Sequence, residues 1–200
     1  MIPGRLTRLR PVERRDLPLL QELANDPTIG SLVVGWDFPV SMHGQEQWLE
    51  HSTATPTTVR LMVDDAETST PVGLTGLWDI DWHNRSALTA VKLRPDCLGR
   101  GMGTDAVMTV MAWAFYVVGL RRLHSWILPF NEASVKTYVG RCGWKVEGRD
   151  REAIFRKGEW VDLLRVGVLR SDFDEHSAAV AYIDNVCPTD VEDISMRGPR

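Results

Sequence analysis

"PDCLGRGMGTDAV" (Pro95–Val107) sets three glycines within five positions, directly ahead of a long apolar run at helical spacing. A glycine in a helix interior costs about 1 kcal/mol relative to alanine, so this concentration at a helix entrance asks for a backbone that side chains would forbid. The first N–H groups of a helix are unpaired and lie at the positive end of its dipole. Bared of side chains, such a turn is an anion cradle for which phosphate is the natural guest, and Arg100 inside it adds charge. Gly99-Arg100-Gly101-Met102-Gly103 has neither the spacing of a dinucleotide fingerprint nor the Gly-Lys-Ser/Thr ending of a Walker loop. Taken alone, it is equally a tight strand-to-helix turn with no ligand.

Beyond the turn, Met102, Ala106, Val107, Val110, Met111, Ala114, Phe115 and Val118 recur at steps of three and four, which predicts a helix with one broad buried stripe, ended by Gly119. "RRLHSWILPF" reads as a strand, about Glu132 to Arg141 as a helix, and "GWKVEGRDREAIFRKGEWVDLLRVGVL" as two strands about a Lys157-Gly158 turn. Before the turn, "TVRLMVDD", "PVGLTGLWDIDW" and "ALTAVKL" alternate as in an antiparallel meander. At the start, Leu6 and Leu9 suggest an edge strand. A helix from about Asp16 carries Leu17, Leu20, Leu23 and Ala24 and is stopped by Asn25-Asp26-Pro27. A loop containing Trp36, Asp37, Phe38 and Pro39 leads to a helix from about Ser41. The expected class is α+β, with about seven strands and about four helices.

A chain of 200 residues fits one domain with a sizeable core, assigned to residues 1–171; residues 172–200 are an acidic tail, partly disordered or docked, whose end is expected to be disordered and in which "AAVAYIDNV" is suited to docking. The net charge of −4 gives no general pull toward nucleic acid or anionic membrane. Cys97, Cys142 and Cys187 are odd in number and widely spaced, suggesting no disulfide framework, no metal site and a reducing compartment. The N-terminus lacks a signal-peptide pattern and no run approaches the roughly 20 apolar residues of a span, so a cytoplasmic protein is expected. Packing is the ordinary use for the eight tryptophans.

"RLRPVERRDLPLLQELANDP", "VGLTGLWDID", "GRGMGTDAV", "NEASVKTYVGRCGWKVEGR" and "GEWVDLLRVGVL" stand together in an order and spacing that resemble the Gcn5-related N-acetyltransferase (GNAT) superfamily, in its RimJ/RimL-like branch. The resemblance runs from about Leu6 to Leu169 and implies a mixed, mostly antiparallel twisted sheet flanked by helices. It also implies acetyl-CoA or another acyl-CoA as donor, with Leu98, Gly99, Arg100, Gly101, Met102, Gly103 and Thr104 as the pyrophosphate loop. The preceding strand, Ala90 to Leu93, would pair through Val91 with the pantetheine arm and hold the thioester carbonyl on an N–H near Leu93. Where the family usually has Gln or Arg, this chain has Leu98.

Acyl transfer from a thioester to an amine by direct attack needs a neutral amine, a polarised carbonyl and a proton for the leaving sulfur, and no nucleophilic side chain. The resemblance implies Tyr138, seven residues after Asn131, as proton donor, with Asn131 on the pantetheine arm and Ser134 near the sulfur. The competing readings are a core or stacking aromatic, a helix N-cap and a solvent-facing serine. Tyr138 to Gly143-Trp144 is one residue longer than the family spacing, which brings Val139 into contention. Trp126 stands where related enzymes place a basic glutamate, leaving Asp79, Asp81, His83 and His124 as candidate relays. The expected acceptor is a small-molecule amine or a peptide N-terminus, with Trp36, Asp37 and Asp81 near the mouth; a homodimer is compatible. Two rival readings are a GNAT-fold transferase fed by aminoacyl-tRNA or a carrier-protein thioester, suggested by Leu98 and the basic run Arg141, Lys145, Arg149, Arg151, Arg156, Lys157, and a non-catalytic CoA-binding module.

Overall fold

The helix after the glycine turn spans Met102–Tyr116 and is the centre on which the rest of the molecule packs. The computed structural model describes residues 1–35, 38–52 and 56–188. Its strands are β1 (Ile2–Pro3), β2 (Thr7–Pro11), β3 (Val59–Asp65), β4 (Pro71–Asp81), β5 (Ser86–Leu88), β6 (Val91–Leu93), β7 (Arg122–Ile127), β8 (Lys145–Arg156) and β9 (Glu159–Leu169). The helices are α1 (Leu17–Asn25), α2 (Pro27–Leu32), α3 (Met42–Ser52), α4 (Met102–Tyr116), α5 (Glu132–Val135), α6 (Arg170–Asp174) and α7 (Ala179–Val186). One nine-stranded sheet runs β1-β2-β3-β4-β5-β7-β9-β8, with β6 hung on β4. All pairings are antiparallel except β5 with β7. Among the described residues no helix is long and apolar enough to cross a membrane.

The segment "ALTAVKL", read as one strand, is broken at Thr89-Ala90. Thr89 Oγ1 donates to the Gly76 carbonyl at 2.7 Å and Thr75 Oγ1 donates to the Ala90 carbonyl at 2.9 Å. The Thr89 hydroxyl and the Ala90 carbonyl of the break are thus both bonded across to β4, and the chain divides: β5 continues the sheet into β7, while β6 stays on β4 alone. A gap opens between β6 and β7.

Other departures have equally local causes. Asn25-Asp26-Pro27 ends α1 but also begins α2, because Asp26 accepts from the N–H groups of Thr28 and Ile29 and Pro27 sits at the first helical position. The strand at Leu9 is not the sheet edge; β1 pairs outside it. Almost every residue of α4 from Ala106 to Phe115 is buried, not only one stripe, since the sheet covers one side and α7 packs on another. The buried Arg10 joins Asp16 at 2.7 Å and Asp64 at 2.6 Å, fixing the start of α1 against the sheet. On that face Leu17 and Leu20 of α1 pack with Met62 and Leu74 as a second, smaller core.

Candidate active site

Gly101 is the N-cap of α4 with φ +84°, and Gly99 has φ +77°, both in the left-handed region that favours glycine. The first helical bond is Asp105 N–H to the Gly101 carbonyl, and no side chain caps the helix. The N–H groups of Met102, Gly103 and Thr104 therefore have no partner within the helix. Met102 points its side chain into the core, Leu98 is half exposed beside the loop, and Arg100 lies 4.0 Å from Asp65.

The carboxylate of Asp105, which such a helix start would ordinarily use as a dipole partner, is turned away from the loop. It accepts from the N–H groups of Arg5, Leu6 and Thr7 at 2.8–3.0 Å, from Thr7 Oγ1 at 2.7 Å and from Tyr182 Oη at 2.7 Å. One buried group thus ties the N-terminal strand, α4 and α7 together, and the anion cradle keeps its positive end unneutralised.

Along β6 the ladder decides which backbone groups are spent. Arg94 N–H donates to Val72, and the register pairs Leu74 with Lys92, so alternate positions 92 and 94 face β4. Val91 and Leu93 consequently present N–H and C=O outward, across the gap. The Val91 N–H donates to Tyr138 Oη at 3.1 Å. Tyr138 is 5% exposed, its ring set edge-on against the buried Trp144 with centroids 4.9 Å apart. Burial, and then the nearby Cys142, hold its hydroxyl well above the ordinary tyrosine pKa, so it stays protonated.

The extra residue before Gly143-Trp144 is accommodated by a π turn over Lys136–Arg141, with Cys142 N–H bonding five residues back to Thr137. That turn leaves Tyr138, not Val139, on the Val91 N–H. Asn131 unites two of its readings: its Oδ1 caps α5 by accepting from Ser134 N–H at 3.1 Å, its Nδ2 donates to the Leu32 carbonyl at 2.9 Å, and it lines the gap.

Three adjoining cavities follow. A narrow one of about 140 Å³ runs from Leu98 and Gly103 along Val91 and Leu93 to Ser134 and Tyr138. It shares Val91, Asn131, Ser134 and Tyr138 with a central cavity of about 440 Å³ in the gap, closed by Ser125, Trp126 and Ile127. The central cavity shares Gly35, Arg60, Trp78 and Lys92 with a third, of about 430 Å³, walled by α1, α3 and the segment Phe38–Val40. Of the candidate relays, Asp79 lines the central cavity. Asp81 accepts from the Asn84 backbone and side chain in the β4–β5 turn and lines none of these cavities, contrary to its expected place at the mouth. His124 faces a separate recess with Arg122 and Glu147. Trp36 and Asp37 lie outside the described residues.

Sequence reading missed Arg60, Lys92, Trp48 and Trp78. The available signal was a basic residue inside each of two apolar strand runs, "TVRLMV" and "TAVKL", at positions the sheet turns to one face. Burial, then the charge of Arg60, pushes Lys92 down to about 8. Because its folded pKa lies below its unfolded value, the penalty is fully present below pH 8 and vanishes as pH rises toward the ordinary lysine range. Lys92→Met is accordingly expected to raise the melting temperature at pH 7, with the gain over wild type shrinking between pH 8 and about 10.4. Scanning calorimetry of both proteins across that range checks it; a constant difference would contradict it.

The sequence profile described as acetyltransferase (GNAT) domain matches residues 5–145. A spermidine N(1)-acetyltransferase of Vibrio cholerae is 26% identical over 165 residues, covering 82% of this chain and 94% of that one. The spermidine N(1)-acetyltransferase of Escherichia coli K12 is 23% identical, with 83% and 87% covered. Among solved structures, the spermidine N-acetyltransferase from Vibrio cholerae in complex with CoA and spermine superposes with TM-score 0.77 at 26% identity, over 84% of this chain and 97% of that one.

Proposed function

Because the chain belongs to the GNAT acetyltransferase family, we propose that it moves an acetyl group from acetyl-CoA to a primary amine, of a small molecule or a peptide N-terminus, by direct attack in the gap between β6 and β7. The observation that carries this reading is the Tyr138 hydroxyl on the outward Val91 N–H, midway along a passage from the glycine loop to the third cavity. The Gly99–Thr104 loop fits a diphosphate: two left-handed glycines, unspent helix N–H groups and no capping side chain. The Val91 carbonyl and Leu93 offer the open strand edge that an extended amide arm pairs with. The Leu93 N–H serves the thioester carbonyl, and Tyr138, accepting from Val91, retains its own proton for the departing sulfur. Ser134 and Asn131 line the wall beside it.

Asp79 is the candidate relay for the amine proton that lines this cavity. The donors considered from Leu98, aminoacyl-tRNA or a carrier-protein thioester, have no support from the loop, because backbone N–H groups rather than the residue 98 side chain make the cradle. A polyamine, the acceptor named for the relatives, and a peptide N-terminus, the acceptor class that the resemblance to the RimJ/RimL-like branch implies, are the starting acceptor classes.

The test is release of free CoA thiol from acetyl-CoA with a panel of amines, in wild type and Tyr138→Phe. The variant is expected to lower kcat about 10²-fold while the KM for acetyl-CoA changes little. Equal turnover by the variant across the pH range would remove Tyr138 from the chemistry.

A further inference from the structure

Strand register puts two cations on the floor of the third cavity. Arg60 on β3 stands opposite Gly76 of β4, and Leu74, two residues earlier on β4, stands opposite Lys92 of β6. These residues share one face of the sheet with Trp78, because side chains at every second position do. Gly76 between them must be glycine: a Cβ there would sit 2.1 Å from the Val59 carbonyl oxygen.

The indole faces are already taken by the protein's own charges. The Arg60 guanidinium lies 4.6 Å above the Trp48 ring and Lys92 Nζ lies 5.8 Å from that of Trp78. A site for a polycation would leave those faces to the substrate and line the walls with carboxylates. Among the described residues lining the third cavity, the charged ones are Arg60 and Lys92. Both line the same cavity, and an anion placed there is attracted by both charges. Leu20, Ala24 and Val40 complete the apolar walls.

Resting on the acetyl-transfer reading above, we infer that the acceptor is a primary amine carrying an anionic oxygen group, carboxylate or phosphate, which Arg60 and Lys92 bind in the third cavity while its amine reaches the central one. The inference sets this chain apart from the polyamine acetyltransferases it resembles.

The experiment uses matched amines that differ in one anionic group: phenylalanine with phenylalaninamide, 3-aminopropanoate with its amide, phosphoethanolamine with ethanolamine, and spermidine beside them. In at least one pair the anionic member is expected to exceed its neutral partner about ten- to hundredfold in kcat/KM, and to exceed spermidine. The pair that responds tells carboxylate from phosphate. Arg60→Met and Lys92→Met should bring the ratio near one, mainly through KM of the anionic amine. Arg60→Lys and Lys92→Arg should retain the preference, and a CoA-induced rise in melting temperature verifies that each variant is folded. Preference for neutral amines or spermidine in every pair, or Met variants that keep the preference, would overturn the inference while leaving acetyl transfer standing. If no amine is acetylated, the transfer reading fails instead, and calorimetric titration of the same pairs into the CoA-loaded protein decides the inference: tighter binding of an anionic member upholds it, and equal or absent binding ends it.

Discussion

Asp105→Ala is expected to lower the melting temperature by roughly 8–16 °C, from a loss of about 4 kcal/mol at 2–4 °C per kcal/mol for a chain of this size. The side chain is 2% exposed and accepts from three consecutive backbone N–H groups and two hydroxyls. Truncation leaves the Thr7 N–H and the Tyr182 hydroxyl buried with no acceptor, and the cost of such orphaned donors, not the worth of any one bond, dominates. The loss should fall on both chain ends at once, so hydrogen exchange at Leu6 and Thr7 and along α7 is expected to accelerate together. A drop smaller than about 3 °C would mean that the ends hold without this carboxylate.

Gly101→Glu is expected to abolish the stabilisation by CoA. At a ligand concentration of about 100 Kd a bound ligand adds about 2.7 kcal/mol, which here amounts to roughly 5–10 °C. At φ +84° any L side chain is strained by about 1–2 kcal/mol, and a Cβ would come within 3.3 Å of Leu6 Cδ1. A carboxylate is also brought to the end of α4 that favours anions. Each protein is therefore compared with and without CoA, against its own baseline. A variant that keeps the full rise would show that the cradle is elsewhere.

The parts of this molecule legible in its sequence are those set by local chemistry. Three glycines before an apolar run announce the loop and α4, while Asn131 and Tyr138, which both line the gap, are singled out by the family resemblance. What was illegible depends on partners distant in sequence. The division of "ALTAVKL" arises from the Thr75 and Thr89 hydroxyls bonding across strands, and nothing in an alternating pattern marks such a break. Pro27 marks a stop in the sequence and a start in the fold, because the same residues serve both. Arg60 and Lys92 read as the polar faces of strands, and only the β3-β4-β6 register brings them to one pocket. The helical "AAVAYIDNV" segment shows how an apolar α4 gains its second cover, through Tyr182 on Asp105.

The π turn has a consequence for comparing this enzyme with others. Surplus chain length is taken up in the π turn between Thr137 and Cys142, which leaves the Tyr138 hydroxyl on the Val91 N–H. An alignment that counts backward from Gly143-Trp144 at fixed spacing will select Val139 and pass over the hydroxyl that meets the Val91 N–H.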